Sequence, residues 1–255
     1  MGASTQAWPD AIWLVRHGES AGNVAAMRAE AAGSASIDIA TRDMDVPLSE
    51  RGERQAKALG AWIGQQPPDQ RPTAVLSSPY LRACQTAEMA AAGAGLADAD
   101  VAVDERLRER EFGVLDRLTT AGITERFPEE ADRRAFLGKF YYRPLGGESW
   151  ADVVLRLRSV VDTVSLNYSR ERLLIVTHQV VILMFRYLLE GMREHEVLAI
   201  DSETEVANCS LTTYEFDGAA GRRGALVLRR FNDVEPLTEE GEEVTEEPDV
   251  PVAPR

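Results

Sequence analysis

The sequence predicts an α/β protein, a three-layer sandwich with a mostly parallel central sheet flanked by helices. Three observations predict it. Short continuous apolar runs at 11–15, 74–76 and 173–176 have the character of strands buried on both faces. Segments of helical spacing lie between the runs, the alternation expected of a parallel sheet covered on both sides. Histidines follow two of the runs, His17 after the first and His178 after 173–176, and ligands of such sheets bind beyond the strands' carboxyl ends.

Taken in order, the first run leads into Arg16-His17-Gly18-Glu19-Ser20. Residues 24–46 are alanine-rich and weakly periodic and receive no assignment. Leu48-Ser49 introduces a helix in which Ala56, Leu59 and Ile63 keep helical spacing. After 74–76, Ser78-Pro79 offers an N-cap and a first-turn proline, which puts Arg82 in the first turn of the next helix. Residues 119–144 hold helical pieces around Lys139-Phe140-Tyr141-Tyr142-Arg143 and, like 24–46, suit an excursion over a pocket mouth. Ser149-Trp150-Ala151-Asp152 has the form of a capping box, with Val153, Leu157, Val160 and Val164 on one face behind it. Val180 to Leu189 reads as a buried helix, and runs at 208–216 and 225–231 read as further strands.

One domain over 11–232 is expected, after a short N-terminal extension, 1–10, and before an acidic tail, 233–255. The tail holds nine acids against Arg255 alone and so carries −8 of the net charge of −14. Its few apolar groups predict disorder, and its removal from about residue 235 is expected to leave activity unchanged. The remaining charge of −6 has no broad basic face, which argues against nucleic acid, while a small anion needs only local positive charge. No apolar run approaches the roughly 18 residues of a membrane span, and Met1 to Gln6 lacks the basic start and apolar core of a signal. A cytoplasmic protein with no membrane partner is expected, and Cys84 and Cys209 are expected to be reduced thiols. Nothing in the sequence marks an oligomeric state.

Two imidazoles and two guanidinia at one sheet edge suit a phosphoryl group, whose oxygens match the guanidinium fork. Histidine can also be the nucleophile, because with an ordinary pKa of about 6.5 much of it is neutral near pH 7. A metal is the rival reading, but no His-Glu-x-x-His or similar ligand spacing occurs, and flanking arginines repel a cation. No metal and no other cofactor are therefore expected. His195, in Met192-Arg193-Glu194-His195-Glu196, lacks a strand before it and reads as a surface residue.

Arg16-His17-Gly18-Glu19-Ser20 with Asn23 resembles the signature of the histidine phosphatase superfamily, which includes cofactor-dependent phosphoglycerate mutases. The resemblance covers roughly residues 11–216. It continues through Pro47-Leu48-Ser49 with Gly52 and Gln55-Ala56, then Ser77-Ser78-Pro79 with Arg82 and Gln85-Thr86-Ala87. Leu107-Arg108-Glu109-Arg110-Glu111-Phe112-Gly113, Gly147-Glu148-Ser149, Val176-Thr177-His178 and Asn208-Cys209-Ser210 complete it in order. The resemblance implies a phosphoglycerate mutase-like fold, His17 as the phosphorylated nucleophile, Arg16, Arg82 and His178 around the phosphate, and Glu109 as proton donor. Motif register selects Glu109 over Glu105 and Glu111.

Ser20, Asn23, Gln179, Arg110, Tyr141 and Arg143 are candidates for substrate contact. The first three can equally bond nearby backbone, and the aromatics can equally pack a cap onto the core. The implied activity is metal-independent hydrolysis of a small phosphorylated substrate. Mutase-type transfer is the alternative, since Arg133-Arg134 resembles the mutases' paired arginines, although the run before Gly147-Glu148-Ser149 is shorter than theirs. A phospho-ligand-binding module without turnover is the reading from another class.

Overall fold

The computed structural model describes residues 6–96 and 101–246. The apolar runs become strands because each meets a neighbour at matching length. They are β1 (Ala11–Arg16), β2 (Ala74–Ser77), β3 (Val101–Val103), β4 (Arg172–Thr177), β5 (Leu211–Asp217) and β6 (Ala225–Asp233). Among the described residues they form one sheet in the order β3-β2-β4-β1-β5-β6. Strands β3, β2, β4 and β1 pair in parallel, and β5 runs antiparallel to both of its neighbours. Register sets Arg16 opposite Thr177 and Ser77 opposite Val176. His17, Ser78 and His178, each one step past its strand, therefore emerge at a single edge.

The helices are α1 (Ala21–Ala31), α2 (Glu50–Gln65), α3 (Leu81–Ala94), α4 (Thr120–Arg126), α5 (Pro128–Leu137), α6 (Trp150–Asn167), α7 (Gln179–Leu189), α8 (Glu194–Glu203) and α9 (Glu235–Glu239). Alternation along the strands divides the core. Ile12, Leu14, Leu173 and Ile175 face α6, α7 and α8, whereas Val15, Val75, Leu174 and Val176 face α2 and α3. Each of these buried side chains contributes about 1.5–3 kcal/mol by leaving water, so the central strands are anchored from both sides. The predicted box at Ser149 is present: its hydroxyl accepts from the Asp152 N–H at 3.1 Å, and the Asp152 carboxylate accepts from the Ser149 N–H at 2.8 Å.

Four sequence expectations change. Helix α3 starts at Leu81 behind Tyr80 and not behind Ser78, whose hydroxyl faces His178 Nε2 at 2.8 Å. Residues 208–210 precede β5 as a turn, with Cys209 at a positive φ of 53°. Strand β3 adds to the expected strands; its Val101-Ala102-Val103 is apolar but largely exposed. The expected disorder from 233 onward also fails as far as 246, since α9 buries Leu237 against Leu48, Ala56, Ala58 and Cys209. Residues 247–255 lie outside the described residues.

Helices α2 and α3 touch backbone to backbone where Gly60 meets Gly93, and a Cβ on Gly93 would overlap the Gly60 carbonyl. Small residues Ala83, Ala87, Ala90 and Ala91 line the same face of α3, so the close approach is continuous. Gly93→Ala should destabilise the protein by about 1–3 kcal/mol through overpacking, read as a lower denaturant midpoint. An unchanged midpoint would show that the two helices separate at no cost.

Candidate active site

The loop after β1 is held by hydrogen bonds to several other elements. The His17 N–H donates to the Thr177 carbonyl at 3.0 Å, and the Arg16 carbonyl accepts from the Cys209 N–H at 2.9 Å. The Gly18 N–H donates to Thr86 Oγ1 at 3.1 Å. Only glycine fits here, because a Cβ on Gly18 would stand 2.6 Å from the Gly52 carbonyl oxygen. Glu19 turns inward, where it accepts from the Ser49 hydroxyl and from Arg51 Nη1 at 3.0 Å. Ser20 then caps α1, accepting from the Asn23 N–H at 3.0 Å while Asn23 Oδ1 accepts from the Ser20 N–H at 2.9 Å.

His17 lies with Nδ1 2.7 Å from the Gly18 carbonyl, an acceptor only, so Nδ1 carries the proton. Arg82 Nε donates to Nε2 at 3.2 Å, the partner expected of the unprotonated nitrogen. The His178 ring stands edge-on with centroids 5.0 Å from His17. Its Nε2 is 2.8 Å from the Ser78 hydroxyl, and its Nδ1 is 3.6 Å from Glu109 Oε2. Glu109 Oε1 accepts from the Arg110 N–H at 2.7 Å, and the Thr177 hydroxyl donates to the Leu107 carbonyl at 2.8 Å, joining the Glu109 loop to β4. Arg16 reaches the Val206 carbonyl through Nη1 at 2.6 Å. Arg16, His17, Arg82, Glu109 and His178 are each at most 2% exposed, so their charges act on one another with little screening by water.

An open cleft of about 260 Å³ adjoins this cluster, lined by Arg42, Asp43, Tyr80, Arg110 and Arg117 among others. Burial, with further repulsion from Arg134, pushes the Arg110 guanidinium down to about 10. Arg110 Nε donates to the Glu148 carbonyl at 2.6 Å, while Nη2 has no hydrogen-bond partner among the described residues. Burial also pushes the Tyr80 phenol up, with the carboxylates of Glu111 and Asp43 adding to the effect, so it remains protonated. Arg82 donates to the Asp43 carbonyl at 2.7 Å and to its carboxylate at 3.0 Å.

Residues 12–226 match the histidine phosphatase superfamily (branch 1). The chain belongs to that superfamily. A bifunctional protein of Mycobacterium tuberculosis is 33% identical over 176 residues, 69% of this chain and 46% of that protein. The chain thus spans about half the length of such curated relatives. A probable phosphoglycerate mutase of Proteus mirabilis is 27% identical over 229 residues, 89% of this chain and 95% of its own. Among solved structures, a mycobacterial glucosyl-3-phosphoglycerate phosphatase with VO3 superposes with a TM-score of 0.67 at 26% identity, covering 88% of this chain and all of that one.

Within this member of the superfamily, the five residues expected to do the chemistry converge, while three of the expected substrate contacts bond other side chains. Tyr141 is half exposed and donates to Glu194, Arg143 pairs with Asp152 at the start of α6, and Gln179 Nε2 donates to Glu205 at 2.8 Å. The aromatic cluster is instead a packing device, with Phe140 against Trp150 and Tyr187 and the Tyr142 hydroxyl donating to Glu130 at 2.8 Å. His195 is exposed on α8, as expected. Ser78, Tyr80 and Asp43 are site neighbours that sequence reasoning missed. Ser78 was visible inside the Ser77-Ser78-Pro79 motif, but its capping role obscured its part beside His178.

The arrangement can hold a phosphoryl group by its oxygens while presenting it a neutral imidazole nitrogen. Asp43 opposes that use, since its carboxylate occupies part of the Arg82 fork. Asp43→Asn should tighten binding of inorganic phosphate about threefold to tenfold, measured by calorimetry, because one negative charge leaves the pocket. Equal affinities would mean that the pair opens without cost.

Proposed function

We propose that this protein is a phosphomonoester hydrolase that works through a phosphohistidine on His17 and needs no metal ion. The observation that carries the reading is the hydrogen-bond pattern of His17, with Nδ1–H on the Gly18 carbonyl and Nε2 facing Arg82. Nε2 attacks phosphorus as the ester oxygen departs, forming a P–N bond and breaking a P–O bond. Arg16, Arg82 and His178 stabilise charge on the three equatorial oxygens, and protonated Glu109 delivers its proton to the leaving oxygen. The resulting Glu109 carboxylate then takes a proton from the water that attacks phosphorus, which frees phosphate and restores Nε2. The cationic cluster supports the absence of a metal, because two guanidinia repel a divalent ion.

A small phosphorylated metabolite is the substrate class that suits the cleft, and a relative is named for the dephosphorylation of a glucosyl-phosphoglycerate. Mutase-type transfer is the second reading, favoured by Arg134 beside Arg110 and by the mutase-named relative. It differs only in that a substrate hydroxyl replaces water in the second step.

In EDTA, wild type should hydrolyse simple phosphomonoesters and His17→Ala should lose turnover by at least about a thousandfold. In the pre-steady-state burst, Glu109→Gln should slow release of an alkyl leaving group by about 10²- to 10⁴-fold but of p-nitrophenolate far less, since nitrophenolate leaves without a proton, whereas the later loss of phosphate slows alike for both. An equal loss of burst rate on both esters would remove Glu109 from the role of general acid. Full turnover in His17→Ala would refute the mechanism.

A further inference from the structure

The chain's C-terminal segment returns to the underside of the His17 loop and completes a hydrogen-bond chain around it. At one end the Glu19 N–H donates to Gln55 Oε1 at 2.9 Å, which turns the Gln55 Nε2 toward Thr245. Nε2 donates to Thr245 Oγ1 at 2.9 Å, so that hydroxyl must direct its own proton onward, to Asn208 Oδ1 at 2.9 Å. Asn208 Nδ2 then donates to the His17 carbonyl at 2.9 Å. An N–H at residue 19 and a carbonyl at residue 17 leave the side chains between them one consistent direction. Gln55, Asn208 and Thr245 are all buried, where such a chain is strengthened by the low dielectric and costly to break.

The acids that mark the segment are its attachment to α2. Arg51 pairs with Glu243 at 3.3 Å and Arg54 with Glu242 at 3.4 Å, while Trp62 Nε1 donates to Glu239 at 2.9 Å. The Thr245 carbonyl also accepts from the Asn208 N–H at 2.9 Å, holding the backbone of the turn. Leu237 supplies the apolar anchor.

We infer that Thr245 is a positioning residue for His17: its hydroxyl fixes which way the Asn208 amide faces and thereby where the His17 backbone is held. The inference rests on His17 as the nucleophile. Without the hydroxyl the Asn208 amide is free to rotate and set an oxygen against the His17 carbonyl, and the loop shifts. A misplacement of about 1 Å in a nucleophile costs up to about a hundredfold in rate.

The test compares full-length wild type, Thr245→Val and Thr245→Ser on p-nitrophenyl phosphate, at a temperature well below the melting point of each. Thr245→Val should lose about tenfold in kcat with KM little changed, and Thr245→Ser should stay within twofold of wild type. On an Asn208→Ala background, Thr245→Val should have no further effect on kcat, which a merely structural role would not produce. A Thr245→Val enzyme within twofold of wild type overturns the inference and leaves the proposed function standing. Wild type without turnover overturns the proposed function, and orthovanadate binding then decides: about tenfold weaker in Thr245→Val supports the positioning role, and equal or absent binding refutes it.

Discussion

Two guanidinia buried beside two imidazoles at one edge of a parallel sheet impose the requirement that organises the surrounding contacts. Charges removed from water must be met by fixed partners. Arg16 finds the Val206 carbonyl, Arg82 finds Asp43, and Glu109 stands by His178. The sheet makes this possible because parallel β1, β2 and β4 end at the same level, so partners from distant parts of the chain meet without long loops. Under the proposed function a phosphoryl dianion exchanges these carboxylate and carbonyl partners for its own oxygens.

The same requirement explains how tightly the His17 loop is held. Gly18 and Gly52 let two backbones approach, Thr86 takes the Gly18 N–H, and Glu19 is drawn under Ser49 and Arg51. A loop so placed cannot relax toward solvent, and His17 keeps one tautomer and one orientation. The acidic C-terminal segment closes the arrangement from below, so charges that look like a solubilising tail are complements to Arg51 and Arg54.

Much of this was legible in the sequence because it is local or periodic. Continuous apolar runs announced β1, β2 and β4, spacing announced α2 and α6, and the strand-then-histidine arrangement marked the site edge. What escaped depends on distant partners. Ser78 has the local form of a helix cap, but its hydroxyl faces the His178 ring, 100 residues away along the chain. Composition predicts disorder for 233–246, but the pit that receives Leu237 is built from Leu48, Ala56 and Cys209 on other elements. Tyr141 and Arg143 were reasonable contacts for a phosphate ester, yet nothing local tells which side chains of an aromatic-basic cluster face the core, the solvent or a cleft.

The mechanism stands or falls on His17 carrying phosphorus during turnover. Rapid mixing of Glu109→Gln enzyme with a phosphomonoester, quenching in base and peptide mass spectrometry measure it directly, because phosphohistidine survives base and is lost in acid. A phosphoryl group is expected on the peptide containing His17, formed at the rate of leaving-group release and absent from His178 and His195. Continuing turnover with no phosphoryl group on any histidine would mean that water attacks the ester directly and that His17 is not the nucleophile.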